Sequence, residues 1–125
     1  MINLKYEEMN SVLSMYFPVL KQLVDFEMNE SENYIPGPHV LYGIVFNPYV
    51  KELIKGGNDL QAIKKVFDFF EELANSNDEE VKNLLQVTIL EALWDEKDLY
   101  EKACKHMLIS TKQINKRIGD YFRIP

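Results

Sequence analysis

The stretch from Asp78 to Trp94 reads DEEVKNLLQVTILEALW, and its apolar residues decide the fold class. Val81, Leu84, Leu85, Val87, Ile89, Leu90, Leu93 and Trp94 cover more than one face at helical spacing. A helix apolar over most of its circumference is surrounded by others, so this one is expected at the centre of a helical domain. Ser76 and Asn77 each stand three residues before a glutamate, Glu79 and Glu80, and either pair makes a capping box. The break between Ala74 and Asp78 is therefore a turn between two helices.

Working toward the N-terminus, Leu60, Ile63, Phe67, Phe70 and Leu73 form an amphipathic stripe, with Asn58 and Gln61 placed as its capping pair. In FNPYVKELIKGGND, Asn47 can cap and Pro48 can open a helix that Gly56 and Gly57 end. Pro38 opens another, carrying Val40, Leu41, Ile44 and Val45, after the loop-like NESENYIPGPHV. The first apolar pattern runs through Met9, Val12, Leu13, Tyr16 and Phe17, and resumes after Pro18 with Leu20, Leu23, Val24 and Phe26. That predicts two helices, or one kinked at the proline. Beyond the central helix, Leu99, Tyr100, Ala103, Cys104 and Met107 face inward. Ser110 with Gln113 then caps a last helix through Ile114, Ile118 and Tyr121 or Phe122. HVLYGIVF, residues 39–46, is the one run with strand character. The expected fold is all-α: one domain over residues 1–125, a compact bundle or HEAT-like stack of about six or seven short antiparallel helices.

Composition narrows the function classes. A chain 46% hydrophobic and 27% charged folds rather than staying disordered. The net charge of −6 disfavours nucleic-acid binding, which relies on Lys and Arg neutralising phosphates. STKQINKRIGDYF, a capped basic helix, has some likeness to a recognition helix, but the acidic whole argues against DNA. No membrane-spanning run and no signal peptide is expected, a single Cys104 supports no internal disulfide, and the expected compartment is the cytoplasm.

No residue pattern spells a reaction. His39 and His106 stand in no metal-binding spacing, and Cys104 belongs to an apolar stripe. The expectation is a non-enzymatic protein without cofactor or metal. Charge is more informative, because it is segregated. Acids crowd the span from Asp68 to Lys102, and bases dominate from Lys105 to Arg123. Acids at helix starts complement the dipole and need no partner. Yet Glu71, Glu72, Asp78, Glu79, Glu80, Asp95, Glu96 and Asp98 are expected to form one acidic edge that meets a basic protein.

YFPVL (16–20), PHVLYG (38–43), IKKVFDFFEELANSNDEEVKNLL (63–85) and ILEALW (89–94) together resemble a family of small uncharacterised bacterial proteins. Its members combine FPxL, PHxxxG, FxFxExL and DxxVxNLL…LExL patterns. Ile44 stands where such proteins often carry an acid. Families of this kind are commonly suspected to be immunity proteins. The resemblance thus implies a cytoplasmic domain that neutralises a cognate toxin, with a basic nuclease domain as a fitting partner. The alternative is a helical scaffold or regulatory module.

Overall fold

A computed structural model describes residues 4–29 and 35–122, with side chains as far as Gly119. Most of the loop expected after Asn29, the side chains of Tyr121 and Phe122, and Arg123 lie outside the described residues. Seven helices and no strand are present among those described. They form a compact bundle: α1 (residues 6–16), α2 (18–29), α3 (38–56), α4 (Leu60–Ala74), α5 (79–94), α6 (Lys97–Cys104) and α7 (Ile109–Phe122).

The central helix is α5. Val81, Leu84, Leu85, Ile89, Leu90 and Leu93 are each at most 2% exposed, whereas Val87 of the same pattern faces solvent and Trp94 is half-buried. Phe17 at the end of α1, Phe46 on α3 and Phe69 on α4 meet beside it, their ring centroids 5.1–5.7 Å apart. Full burial of each ring stabilises by about 1.5–3 kcal/mol, and the near-perpendicular contacts of Phe69 with the other two add to that. Phe17 leaves helical geometry (φ −128°, ψ 75°), and Pro18 opens α2, so the first apolar pattern is two helices. Val24 and Leu20 of α2 are buried, whereas Leu23 and Phe26 point to solvent.

The expected break at Asn47 does not occur. α3 is continuous: α-helical over Pro38–Leu41, π-helical over Tyr42–Phe46 and α-helical again over Asn47–Gly56. A proline clashes with the carbonyl four residues back. For Pro48 that carbonyl belongs to Ile44, inside the widened π segment, so the helix passes through without ending. HVLYGIVF is thus helical throughout. Gly57, at φ +68°, ends α3 in the left-handed conformation, its N–H bonded to Leu53 O at 3.0 Å.

The caps sit later than the sequence pattern places them. Asp59, not Asn58, opens α4 by accepting from the Ala62 amide at 3.1 Å. Asp78, not Ser76 or Asn77, opens α5 by accepting from the Glu80 amide at 2.9 Å. Ser76 Oγ instead accepts from the Asp78 amide and donates to Leu4 O at 2.7 Å, tying the chain start to this turn.

A second π segment, Leu84–Leu90, lies within α5 and faces the first. Asn47 Nδ2 donates to Thr88 O at 2.9 Å, and His39 Nδ1 lies 2.5 Å from Thr88 Oγ1. Gly43 sits at this crossing, where an added Cβ would lie 4.0 Å from Thr88 Cγ2.

Candidate protein-binding surface

The eight expected acids divide by what they touch. Glu71, on the last turn of α4, receives the N–H groups of Ser110 and Thr111 and the Thr111 hydroxyl, each at 2.9 Å. Those amides belong to the first turn of α7, whose positive dipole end favours a carboxylate. Glu71 therefore caps α7 from another helix, and the expected Ser110–Gln113 box is not the cap. Burial pushes the Glu71 carboxyl up, but the Ser110 and Thr111 donors outweigh it and hold it below the usual range.

Asp78 is committed as well. One oxygen caps α5 and the other accepts the Tyr6 amide at 2.9 Å, and these amides, Tyr6 first, hold its carboxyl low. Glu96 lies 3.2 Å from Lys55 and 3.7 Å from Lys51, linking the start of α6 to α3. Glu71 and Asp78 thus hold the fold, while Glu96 is itself exposed and its pairs with the two lysines contribute little.

Glu79, Glu80, Asp95 and Asp98 are exposed, and Glu72 is half-exposed. Glu79 is 3.4 Å from Lys82, in a pair too exposed to matter much. Glu72 stands near the Tyr16 hydroxyl; burial and then this carboxylate push that phenol up. The structure does not bring the two acidic helix starts together. Glu79 and Glu80 stand at one end of α5 and Asp95 follows its other end, roughly 20 Å or more away at the rise of a helix.

It does bring in two acids that the sequence pattern missed. Because Leu4 and Tyr6 are bonded to the Ser76–Asp78 turn, the exposed Glu7 and Glu8 share the end of the bundle that carries Glu79 and Glu80. Glu80 is near enough to add to the burial that raises the Tyr6 phenol. No local signal reveals this, since the bonds join residues 72 apart in sequence.

A family model described as a domain of unknown function, DUF7674, matches residues 11–122. The chain belongs to the DUF7674 family. No curated protein matches it, and no solved structure does. The matched span holds all four quoted segments, as well as Glu72, Glu79 and Glu80, while Glu7 and Glu8 lie outside it.

Elsewhere in this DUF7674 domain the chemically versatile side chains serve packing. His39 is half-buried, ties the start of α3 to Thr88, and lies 5.9 Å from the Tyr6 ring. His106 packs its ring 5.4 Å from that of Phe67, in the turn after α6. Cys104 is half-buried beside Asn115, whose amide bridges Trp94 Nε1 at 3.0 Å and the Tyr100 hydroxyl at 2.7 Å. Among the described residues no three His, Cys, Asp or Glu side chains are grouped to hold a metal ion. No described helix is long and apolar enough to cross a membrane.

Proposed function

We propose that this DUF7674 domain is a non-enzymatic protein-binding module that meets a basic partner through Glu7, Glu8, Glu72, Glu79 and Glu80. The observation carrying this reading is the docking of the chain start, which adds two exposed acids to an acidic helix start. Glu71 and Asp78 are spent on the fold and Glu96 lies beyond the other end of α5, so the surface is narrower than the full acidic run and lies at one end of the bundle. Exposed like charges of this kind accelerate encounter with an opposite surface and reject acidic partners. The family resemblance favours an immunity-like role in the cytoplasm: the domain covers a cognate toxin, and a basic nuclease domain fits the charge.

A second reading rests on α2, where Val19, Leu23 and Phe26 are 54–70% exposed at helical spacing. Such a face suits a scaffold or regulatory module that docks another protein without inhibiting it. Co-purification of the tagged chain from its native host separates the two. The immunity reading expects a basic protein that elutes with rising salt and whose toxicity the domain suppresses. Recovery of an acidic or neutral partner, retained at high salt and harmless alone, contradicts it.

A further inference from the structure

The acidic end of the bundle also holds an apolar groove. Val12, Met15 and Tyr16 line up on α1 at separations of three and four, with Glu8 one turn earlier, and Leu4 and Lys5 run beside them. The space they enclose is about 180 Å³. Ligand pockets run to about 300–1,000 Å³, so this one has room for a single side chain and not for a whole small molecule.

Its walls differ in stiffness. Tyr16 is anchored by its ring, 5.0 Å from Phe69 in the core, and its hydroxyl lies near Glu72. Leu4 and Val12 are buried, and Ser76 holds the Leu4 carbonyl. Met15 stands at the mouth, 72% exposed. A flexible thioether over a fixed apolar floor closes on aliphatic groups of varied shape.

Charge decides the occupant. Glu8 lines the groove and Glu72 lies near its tyrosine wall, while Glu7 lies next to Glu8; Lys5 is the only cation among the lining residues. A second copy of this chain, with net charge −6, would bring acid against acid. A nucleic acid would bring phosphates to carboxylates. We propose that the groove seats one leucine-like side chain of a basic partner segment, whose flanking Lys or Arg residues reach Glu8 and Glu72. This rests on the reading above and adds an apolar anchor to it, since rim charges set encounter while a desolvated centre holds the complex.

Backbone-amide NMR titration of the full chain tests it with two synthetic peptides, a leucine between arginine–lysine flanks and the same peptide with alanine in its place. At about 0.1 M salt, exposed charges are screened beyond roughly 10 Å, so the contrast reports the groove. The expected result is shifts at Leu4, Met15 and Tyr16, with the leucine peptide bound about fivefold to tenfold tighter. Met15→Ser should abolish that preference and leave the alanine peptide's weaker binding unchanged. Equal affinities with shifts confined to the glutamates would overturn the groove and leave the acidic surface standing. No shift with either peptide overturns both. Shifts at Met15 that grow with protein concentration alone mean self-association and also refute the proposal.

Discussion

Replacing Glu71 by alanine removes three acceptor contacts at once: the Ser110 and Thr111 amides and the Thr111 hydroxyl. A hydrogen bond to a charged group contributes about 1.5–3 kcal/mol net. Glu71 is half-exposed, so water replaces part of each bond, and the loss of a helix cap costs about 0.5–2 kcal/mol. Together these give about 2–3 kcal/mol for Glu71→Ala. For a chain of 125 residues each kcal/mol moves Tm by about 4 °C, so Tm should fall by about 8–12 °C. Urea denaturation followed by circular dichroism measures the first number, and calorimetry the second. Hydrogen exchange should quicken most at the Ser110 and Thr111 amides. Glu79→Ala, on an exposed acid with only a weak pair, should stay within about 0.5 kcal/mol of the parent. If Glu71→Ala also stays within about 0.5 kcal/mol, with exchange at Ser110 unchanged, the division of the acids into fold-holding and recruitable groups is wrong.

Other expectations follow from the same geometry. The Glu71 carboxyl is held below its ordinary value of 4.5, so its stabilisation is full above that pH and is lost as pH falls through the lower folded value. Glu71→Gln should therefore flatten the acid limb of a stability–pH profile, and an unchanged limb refutes the assignment. A Cβ on Gly119 would lie 3.1 Å from Trp94 Cη2, and Trp94 is fixed by Asn115. Gly119→Val should cost about 1–3 kcal/mol and shift the tryptophan emission; a variant as stable as the parent contradicts that packing. Thr88→Val keeps the shape but leaves His39 without its partner, and should cost about 1–2 kcal/mol by denaturant unfolding. No loss there would mean that the hydrogen bond between α3 and α5 contributes nothing.

The central helix was legible because a two-faced apolar pattern admits one placement. Its neighbours were legible as an alternation of stripes and turns. Cap positions slipped because Asn58 and Asp59, or Ser76, Asn77 and Asp78, offer equivalent acceptors in a row, and only backbone geometry selects among them. The continuity of α3 was hidden because Asn-Pro reads as a helix start unless a π segment absorbs the proline. Leu23, Phe26 and Leu60 fit the helical period yet face solvent, since periodicity marks a face without saying that it is covered. For the proposed surface, charge segregation points to Glu72, Glu79 and Glu80 among eight acids. It could not separate them from Glu71 and Asp78, whose donors lie as far as 40 and 72 residues away. Nor could it recruit Glu7 and Glu8, which reach that end only through the Leu4–Ser76 and Tyr6–Asp78 bonds.

The most direct measurement is the association rate of the host-derived partner with a variant carrying lysine at Glu7, Glu8, Glu79 and Glu80, followed across salt concentrations. The parent should associate faster at low salt, and the variant should associate at least about tenfold more slowly with a flattened salt dependence. Its melting temperature should fall by only a few degrees, because lysines at Glu79 and Glu80 oppose the dipole of α5 while Glu71 and Asp78 keep their caps. Parent-like rates and salt dependence in a folded variant would contradict the acidic surface as the site of binding.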